Sequence, residues 1–281
     1  MHEKIIAVSA SVQDMGIAAM KRWWPNGAAP GAIAWINDDV SAGRFPHIAV
    51  SVELTQDKDG YDITAAKGGW DMQGITSKFM PAFPPITGID GAVTFTGPDS
   101  LHFNLQDGRL GDIQLQPGTM DISGLNAGVQ ILKMDIPAVG QLPDMLTLLD
   151  TPPYGYAKKY GLKAASERGG VGLDLQVELP LLAALKLSDL KYHAVANLNQ
   201  VALPNALMGK DISNGKGVFE LTPDEMKING AADIAGVPMQ FVIQYSGTIQ
   251  RHIRPGRSEG QIIITKRCIN CHRRARGFAP G

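Results

Sequence analysis

Residues 88–125 read GIDGAVTFTGPDSLHFNLQDGRLGDIQLQPGTMDISGL, a series of short runs in which apolar and polar residues alternate. Each run ends at Gly, Pro, Asp or Asn, the residues that most often form turns. Because successive side chains of a strand point to opposite faces of a sheet, each run predicts an antiparallel strand with one apolar and one polar face.

The same alternation returns on both sides of this segment. Residues 48–54 and 61–65 alternate around the turn sequence QDKDG, and residues 217–245 contain three more alternating runs. Several short strands separated by turn residues predict an all-β fold made of repeated antiparallel strands. A few shorter features complete this prediction, namely helices at 12–24, 30–39 and 143–150, strands at 172–180 and 190–201, and a turn at 211–215.

Changes in pattern divide the chain into five regions. We expect a helical lead-in with the end of a preceding repeat (1–45), a first β repeat region (46–141), a short helical insertion (142–165), a second β repeat region (166–250) and a basic tail that is disordered or aberrant (251–281).

Charge is distributed unevenly along the 281 residues. The tail holds eight basic residues and one acidic residue, which leaves 18 basic and 26 acidic residues in the first 250. A mildly acidic body argues against nucleic-acid binding. The excess of basic residues in the tail is typical of an arm that binds an anionic surface, and it is also consistent with an aberrant translation product.

Patterns that carry enzymatic chemistry are missing from the sequence. It contains no nucleophile elbow, phosphate-binding loop or dinucleotide-binding glycine pattern, so we expect no enzyme, no cofactor and no metal site. The exception is Cys268-Ile-Asn-Cys271-His272, which matches the attachment motif of c-type haem. Basic residues surround this motif in place of the apolar pocket that haem needs, which favours an accidental match.

Four segments resemble the AsmA-like family of bacterial envelope proteins, the group with the YhdP and TamB types. The likeness is to the C-terminal half of YhdP-like members and covers most of residues 20–245. It is carried by RWWPNGAAPGAIAWINDDVSAGRF (22–45), FPPITGIDGAVTFTGPDSLHFNLQDGRLGDIQLQPGTMDISGL (83–125), LPDMLTLLDTPPYGYAKKYGL (142–162) and ISNGKGVFELTPDEMKINGAADIAGVPMQF (212–241).

The resemblance implies a long, curved, taco-like sheet with an apolar trough. It also implies a periplasmic body at the inner membrane that carries phospholipids between the inner and outer membranes or aids outer-membrane assembly. The sequence shows neither a signal-peptide core nor an apolar run long enough to span a membrane. We therefore expect attachment only through an anchor outside this chain, in a longer protein.

A trough is also plausible on physical grounds. A sheet with one apolar face needs a cover, and the few predicted helices are too small for about 14 strands, which at ~4.8 Å each would extend roughly 67 Å. Acyl chains would fill the uncovered face. The trough candidates, chosen by parity alone, are Val93, Phe95, Leu101, Phe103, Leu105, Ile113, Leu115, Phe219, Leu221, Met239, Phe241 and Ile243.

Three functions therefore stand at this stage. The leading one is a non-enzymatic segment that binds or conducts phospholipids. The second is an envelope scaffold that binds proteins through its sheet edges. The third, which the context of the motif disfavours, is an electron carrier with haem at Cys268, Cys271 and His272.

Overall fold

The computed structural model describes residues 4–23, 36–56, 61–78, 82–125, 127–151, 163–182, 189–207, 209–246 and 260–265. The strands are Lys4–Gly16 (β1), Val40–Gln56 (β2), Tyr61–Ser77 (β3), Ile86–Gly97 (β4), Ser100–Leu110 (β5), Ile113–Leu115 (β6), Gly118–Ser123 (β7), Ile131–Gln141 (β8), Arg168–Pro180 (β9), Lys191–Leu207 (β10), Lys210–Leu221 (β11), Glu225–Ile234 (β12), Val237–Ser246 (β13) and Gly260–Thr265 (β14). The helices are Ile17–Trp23 (α1) and Leu142–Leu149 (α2), and residues 36–39 are also helical. The predicted all-β fold with a few short helices is confirmed.

In these ranges the fourteen strands form a single antiparallel sheet in which they follow one another in sequence order. Two short strands, β6 and β7, share one position, because each pairs with both β5 and β8. The sheet therefore has thirteen strand positions. At ~4.8 Å per interval it extends about 58 Å, whereas fourteen separate positions would extend about 62 Å when intervals are counted in the same way.

The helix predicted at residues 12–24 begins too early. The chain is a strand up to Gly16, and α1 starts at Ile17. Twelve residues of β1 pair with β2, which supplies the hydrogen bonds that a helix would otherwise provide. Asp14 does not cap the helix but interrupts the strand with a φ of 53°.

The turn predicted at residues 211–215 is also wrong, because these residues lie inside β11. Asn214 has a φ of 52°, and the register shifts between Ser213 and Lys216, so the Asn-Gly pair forms a β-bulge. Within the tail predicted as disordered, Gly260–Thr265 departs from that prediction and forms β14, which pairs with β13.

Both helices lie at the same ends of the strands, which we call the helix rim; the opposite ends form the far rim. At the helix rim, α1 contributes Ile17 and Met20 to a core around Phe45 and Ile48. A second core there is centred on Met145 of α2 and its contacts with Ile113, Ala138, Val171 and Ala196.

Irregular backbone is concentrated at the helix rim. Gly43 in β2 and Gly169 in β9 have φ values of 114° and 132°, which glycine adopts far more readily than other residues. Register shifts accompany them, between Ala42 and Arg44 in β2 and between Asn199 and Ala202 in β10. Because bulges bend and twist strands, they bend the sheet along the rim where the helices pack.

Candidate functional site

Strand register places the candidate residues of the first repeat on one face. Val93 lies opposite Phe103, and Phe95 lies opposite Leu101. Residues that face each other in an antiparallel pair project to the same side of the sheet. Leu105 shares this side by its spacing of two from Phe103.

The same face continues to the last strands. Because facing residues share a side, each row of register partners can be followed across the sheet. One row consists of Leu115, Ala138, Leu173, Ala196, Phe219, Ile228 and Ile243. Another consists of Phe103, Met120, Met134, Val177 and Tyr192. The remaining candidates, Ile113, Leu221, Met239 and Phe241, join this side by alternation within β6, β11 and β13, so the twelve candidates lie on one surface, the apolar face.

Burial divides the twelve residues into two groups. Val93, Phe103 and Ile113 are buried, and Ile113 lies in the core beneath α2. The other nine are partly exposed, namely Phe95, Leu101, Leu105, Leu115, Phe219, Leu221, Met239, Phe241 and Ile243. The larger group therefore forms a surface that a ligand could cover, whereas the three buried side chains already contact protein.

The parity argument missed most of the apolar face. It left out the central strands, although β9 alternates as clearly as β5, and it left out β1–β3, where Trp70 packs edge-to-face on Phe95 with ring centroids 5.9 Å apart. The alternation itself could have identified these residues. The missed set includes Val8, Ala10, Val12, Val50, Val52, Trp70, Met120, Ile122, Leu132, Met134, Ile136, Leu173, Leu175, Val177, Leu179, Met226 and Ile228.

The opposite side, the polar face, is held by cross-strand polar pairs. His102 Nδ1 lies 2.7 Å from Asp121 Oδ1, and His193 Nε2 lies 3.0 Å from Glu220 Oε1. Such cross-strand pairs stabilise a sheet modestly. They also fix the register, since a slip of one residue would bring these groups to the apolar face.

Glu178 is the centre of the most charged part of the polar face. Lys191 donates a hydrogen bond of 2.6 Å to Glu178 Oε1, and Lys133 Nζ lies 3.5 Å from Oε2. The hydrogen bond from Lys191 is the main cause that lowers the pKa of Glu178; desolvation opposes it, and the charges of both lysines add to the lowering. An open, shallow groove of about 390 Å³ beside these groups is lined by both acidic and basic side chains, so it has no single charge preference.

Glu167 is the one buried acidic side chain among the described residues. Its Oε1 accepts a hydrogen bond of 3.1 Å from the backbone N–H of Lys163. Across the described part of the chain, no three His, Cys, Asp or Glu side chains are grouped as a metal site would require. The haem-motif residues Cys268, Cys271 and His272 lie outside the described residues.

Among the ranges that the structure describes, no helix has the length and apolarity to cross a membrane. Comparison of the chain with protein-family models, curated proteins and solved structures gave no match.

Proposed function

We propose that this chain binds phospholipid acyl chains along its apolar face and acts, without catalysis, as a segment that stores or conducts lipid. One observation supports the proposal most directly. A single apolar face continues from β1 to β13, and most of its large side chains are only partly covered by protein. Soluble proteins seldom leave apolar surface of this extent without a ligand or partner.

Acyl chains match this face in chemistry and shape. The face offers rows of Leu, Ile, Val, Met and Phe side chains, and the row from Leu115 to Ile243 holds no charged residue. Each methylene group that moves from water onto such a surface contributes about 0.8 kcal/mol, so a chain of ten covered methylenes gains roughly 8 kcal/mol before the cost of ordering it. The polar face, with its paired charges, has no comparable affinity.

The resemblance of residues 22–45, 83–125, 142–162 and 212–241 to AsmA-like proteins supports a place in the bacterial cell envelope. In this proposal the segment lies in the periplasm, is tied to the inner membrane through an anchor elsewhere in a longer protein, and carries phospholipid between the inner and outer membranes. A sheet of about 58 Å would then form one section of the path, and further sections would complete it.

The test is native mass spectrometry of the full chain purified from the periplasm, followed by lipid extraction. We expect phospholipid in stoichiometric amount. Phe241→Asp on the apolar face should lose the lipid and keep the circular dichroism of the wild type, because Phe241 is already partly exposed. Val242→Asp, the next residue on the polar face, is the matched control and should keep the lipid. A folded wild-type protein without lipid contradicts the proposal.

A second candidate function is an assembly scaffold, and the edge of the sheet favours it. The outer edge of β1 has no paired strand among the described residues, although the strand is 13 residues long. Exposed edges of this kind accept strands from other chains. Ile5, which is 67% exposed, would be the contact most easily disrupted.

A photo-crosslinking residue at Ala7 tests the scaffold function in the periplasm. A scaffold predicts discrete crosslinks to envelope proteins that disappear when Ile5→Pro disturbs the backbone of this edge strand. Lipid content should not change in that variant. Crosslinks that persist in Ile5→Pro would contradict strand pairing at this edge.

A further inference from the structure

Three exposed apolar residues lie in two neighbouring connections at the far rim. Val129, in the connection between β7 and β8, is 43% exposed, and Leu181 and Leu182, which follow β9, are 42% and 43% exposed. We call these three residues the apolar tip. Isolated exposed apolar residues are ordinary, whereas a cluster of them next to a large apolar surface indicates a binding site.

Backbone hydrogen bonds join the two segments of the tip. The N–H of Leu181 donates to the carbonyl oxygen of Gln130 at 2.8 Å, directly beside Val129. The N–H of Leu182 donates to the carbonyl oxygen of Pro180 at 3.0 Å, which turns the chain immediately after β9. The three side chains are thus presented by one bonded unit of two connections.

The tip continues the apolar face. Ile122 lies opposite Leu132, and Leu132 lies opposite Leu179, so an apolar row crosses β7, β8 and β9 near their far ends. All three side chains of this row are partly exposed. Leu181 follows Leu179 by two residues, and its N–H is bonded to Gln130, so Leu181 extends this row past the end of β9.

Charge is absent from both segments. The sequence has no charged residue from Ile122 to Leu132 or from Leu179 to Leu185. Val218, another exposed apolar residue, differs in this respect. Val218, which is 42% exposed, lies on the polar face opposite Asn197 and Asn229, and its next neighbour on that face is Glu220.

We propose that the apolar tip inserts into the interfacial layer of a phospholipid bilayer and that lipid passes from the bilayer onto the apolar face at this point. The proposal rests on the lipid-binding function proposed above and names where that lipid enters. Uncharged loops with exposed Leu and Val side chains can bury them among headgroups and upper acyl chains without moving a charge out of water. The row formed by Ile122, Leu132 and Leu179 then provides apolar surface next to the inserted side chains.

The experiment is flotation of the full chain with vesicles of phosphatidylethanolamine and phosphatidylglycerol. The test variant carries Val129→Asp and Leu181→Asp, and the control carries Val139→Asp and Val218→Asp, two polar-face residues with 44% and 42% exposure. We expect the tip variant to lose vesicle partitioning at least about tenfold and the control to float like the wild type. All four residues are exposed, so circular dichroism should be unchanged, and Leu181→Ser with Leu182→Ser provides a milder pair if it is not.

Lipid loading separates this proposal from the proposed function. The tip variant should take up lipid dispersed in detergent but not lipid offered in vesicles. Phe241→Asp should fail with both sources and still float. A folded tip variant that floats and loads from vesicles like the wild type overturns the role of the tip, whatever the face binds. A wild-type dimer that the tip substitutions dissolve, without vesicle binding in either form, would assign the tip to contact between two copies and would also overturn it.

Discussion

The two rims of the apolar face are made from the same alternating strands, yet one is a closed core and the other an exposed surface. At the helix rim, Phe45, Ile48 and Ile113 are buried under α1 and α2. At the far rim, Leu101 and Leu221 are only partly covered. Alternation therefore determines which side of the sheet is apolar, and the short helices determine which part of that side becomes protein core.

The difference between the two rims allows one sheet both to fold stably and to keep apolar surface for binding. A long sheet with one apolar face needs enough burial to fold, and the helix rim supplies it through two cores. The far rim can then keep apolar surface available without endangering the fold. We expect substitutions at the helix rim to change the free energy of unfolding, and those at the far rim to change binding.

The largest expected effect contrasts two residues on neighbouring strands. Ile113→Asp places a charge in the core beneath α2 and should cost more than about 5 kcal/mol, because it combines lost burial with an unpaired buried carboxylate. Leu101→Asp at the far rim should cost roughly 1 kcal/mol, because the carboxylate stays in water. Urea unfolding followed by circular dichroism measures both, and equal losses would mean that the face is closed along its whole width.

A smaller effect tests whether α2 covers the helix rim, by comparing two residues of that helix. Met145 of α2 is buried against Ile113 and Val171, so Met145→Ala should cost about 2–5 kcal/mol. Leu149, four residues later, is 49% exposed, and Leu149→Ala should change the unfolding free energy by no more than about 0.5 kcal/mol. If both variants unfold at the wild-type urea midpoint, α2 does not close the helix rim.

The next effect concerns the bulged backbone at Gly43 on the helix rim. Gly43 has a φ of 114°, and a Cβ atom there would lie 2.7 Å from the Cα of Ile75, so Gly43→Ala should cost about 1–3 kcal/mol. Gly170 in β9 has open space around its Cβ position, so Gly170→Ala should be neutral or stabilising by up to about 1 kcal/mol. Thermal denaturation of the two variants decides whether the bulge geometry is required.

Much of the apolar face could be predicted from the sequence, because strand alternation needs no knowledge of distant contacts. Phe95 and Leu101 lie on the same side of the sheet, and so do Phe219 and Ile243, because the alternation continues in register from each strand to the next. This is why all twelve candidates fall on one face. The lipid, its source and its destination stay predictions.

What the sequence could not reveal depends on long-range contacts. Nothing in the alternation of Phe103 and Leu105 indicates that the first is buried and the second partly exposed. Residues 8–12 alternate, but only through small Ala and Ser side chains between the valines, and the length of β1 up to Gly16 depends on its pairing with β2. Asn214 lies in a sequence typical of a turn, and the neighbouring strands convert it into a bulge.

The smallest effect concerns the polar face near the far rim, where an exposed ion pair should contribute little. The pKa of Glu178 is lowered chiefly by its hydrogen bond from Lys191, so the carboxylate is favoured in the folded state. Its stabilising contribution is present above the pKa of an unfolded glutamate, about 4.3, and is lost as the pH falls through the lower folded value.

Lys191→Met should therefore reduce the difference in urea midpoint between neutral pH and about pH 3, whereas Lys191→Arg, which keeps the cation, should preserve it. Added salt should shrink the wild-type difference as well, since both partners are partly solvated. A large loss of stability in Lys191→Met at neutral pH would show that the far rim contributes more to the fold than its exposure indicates.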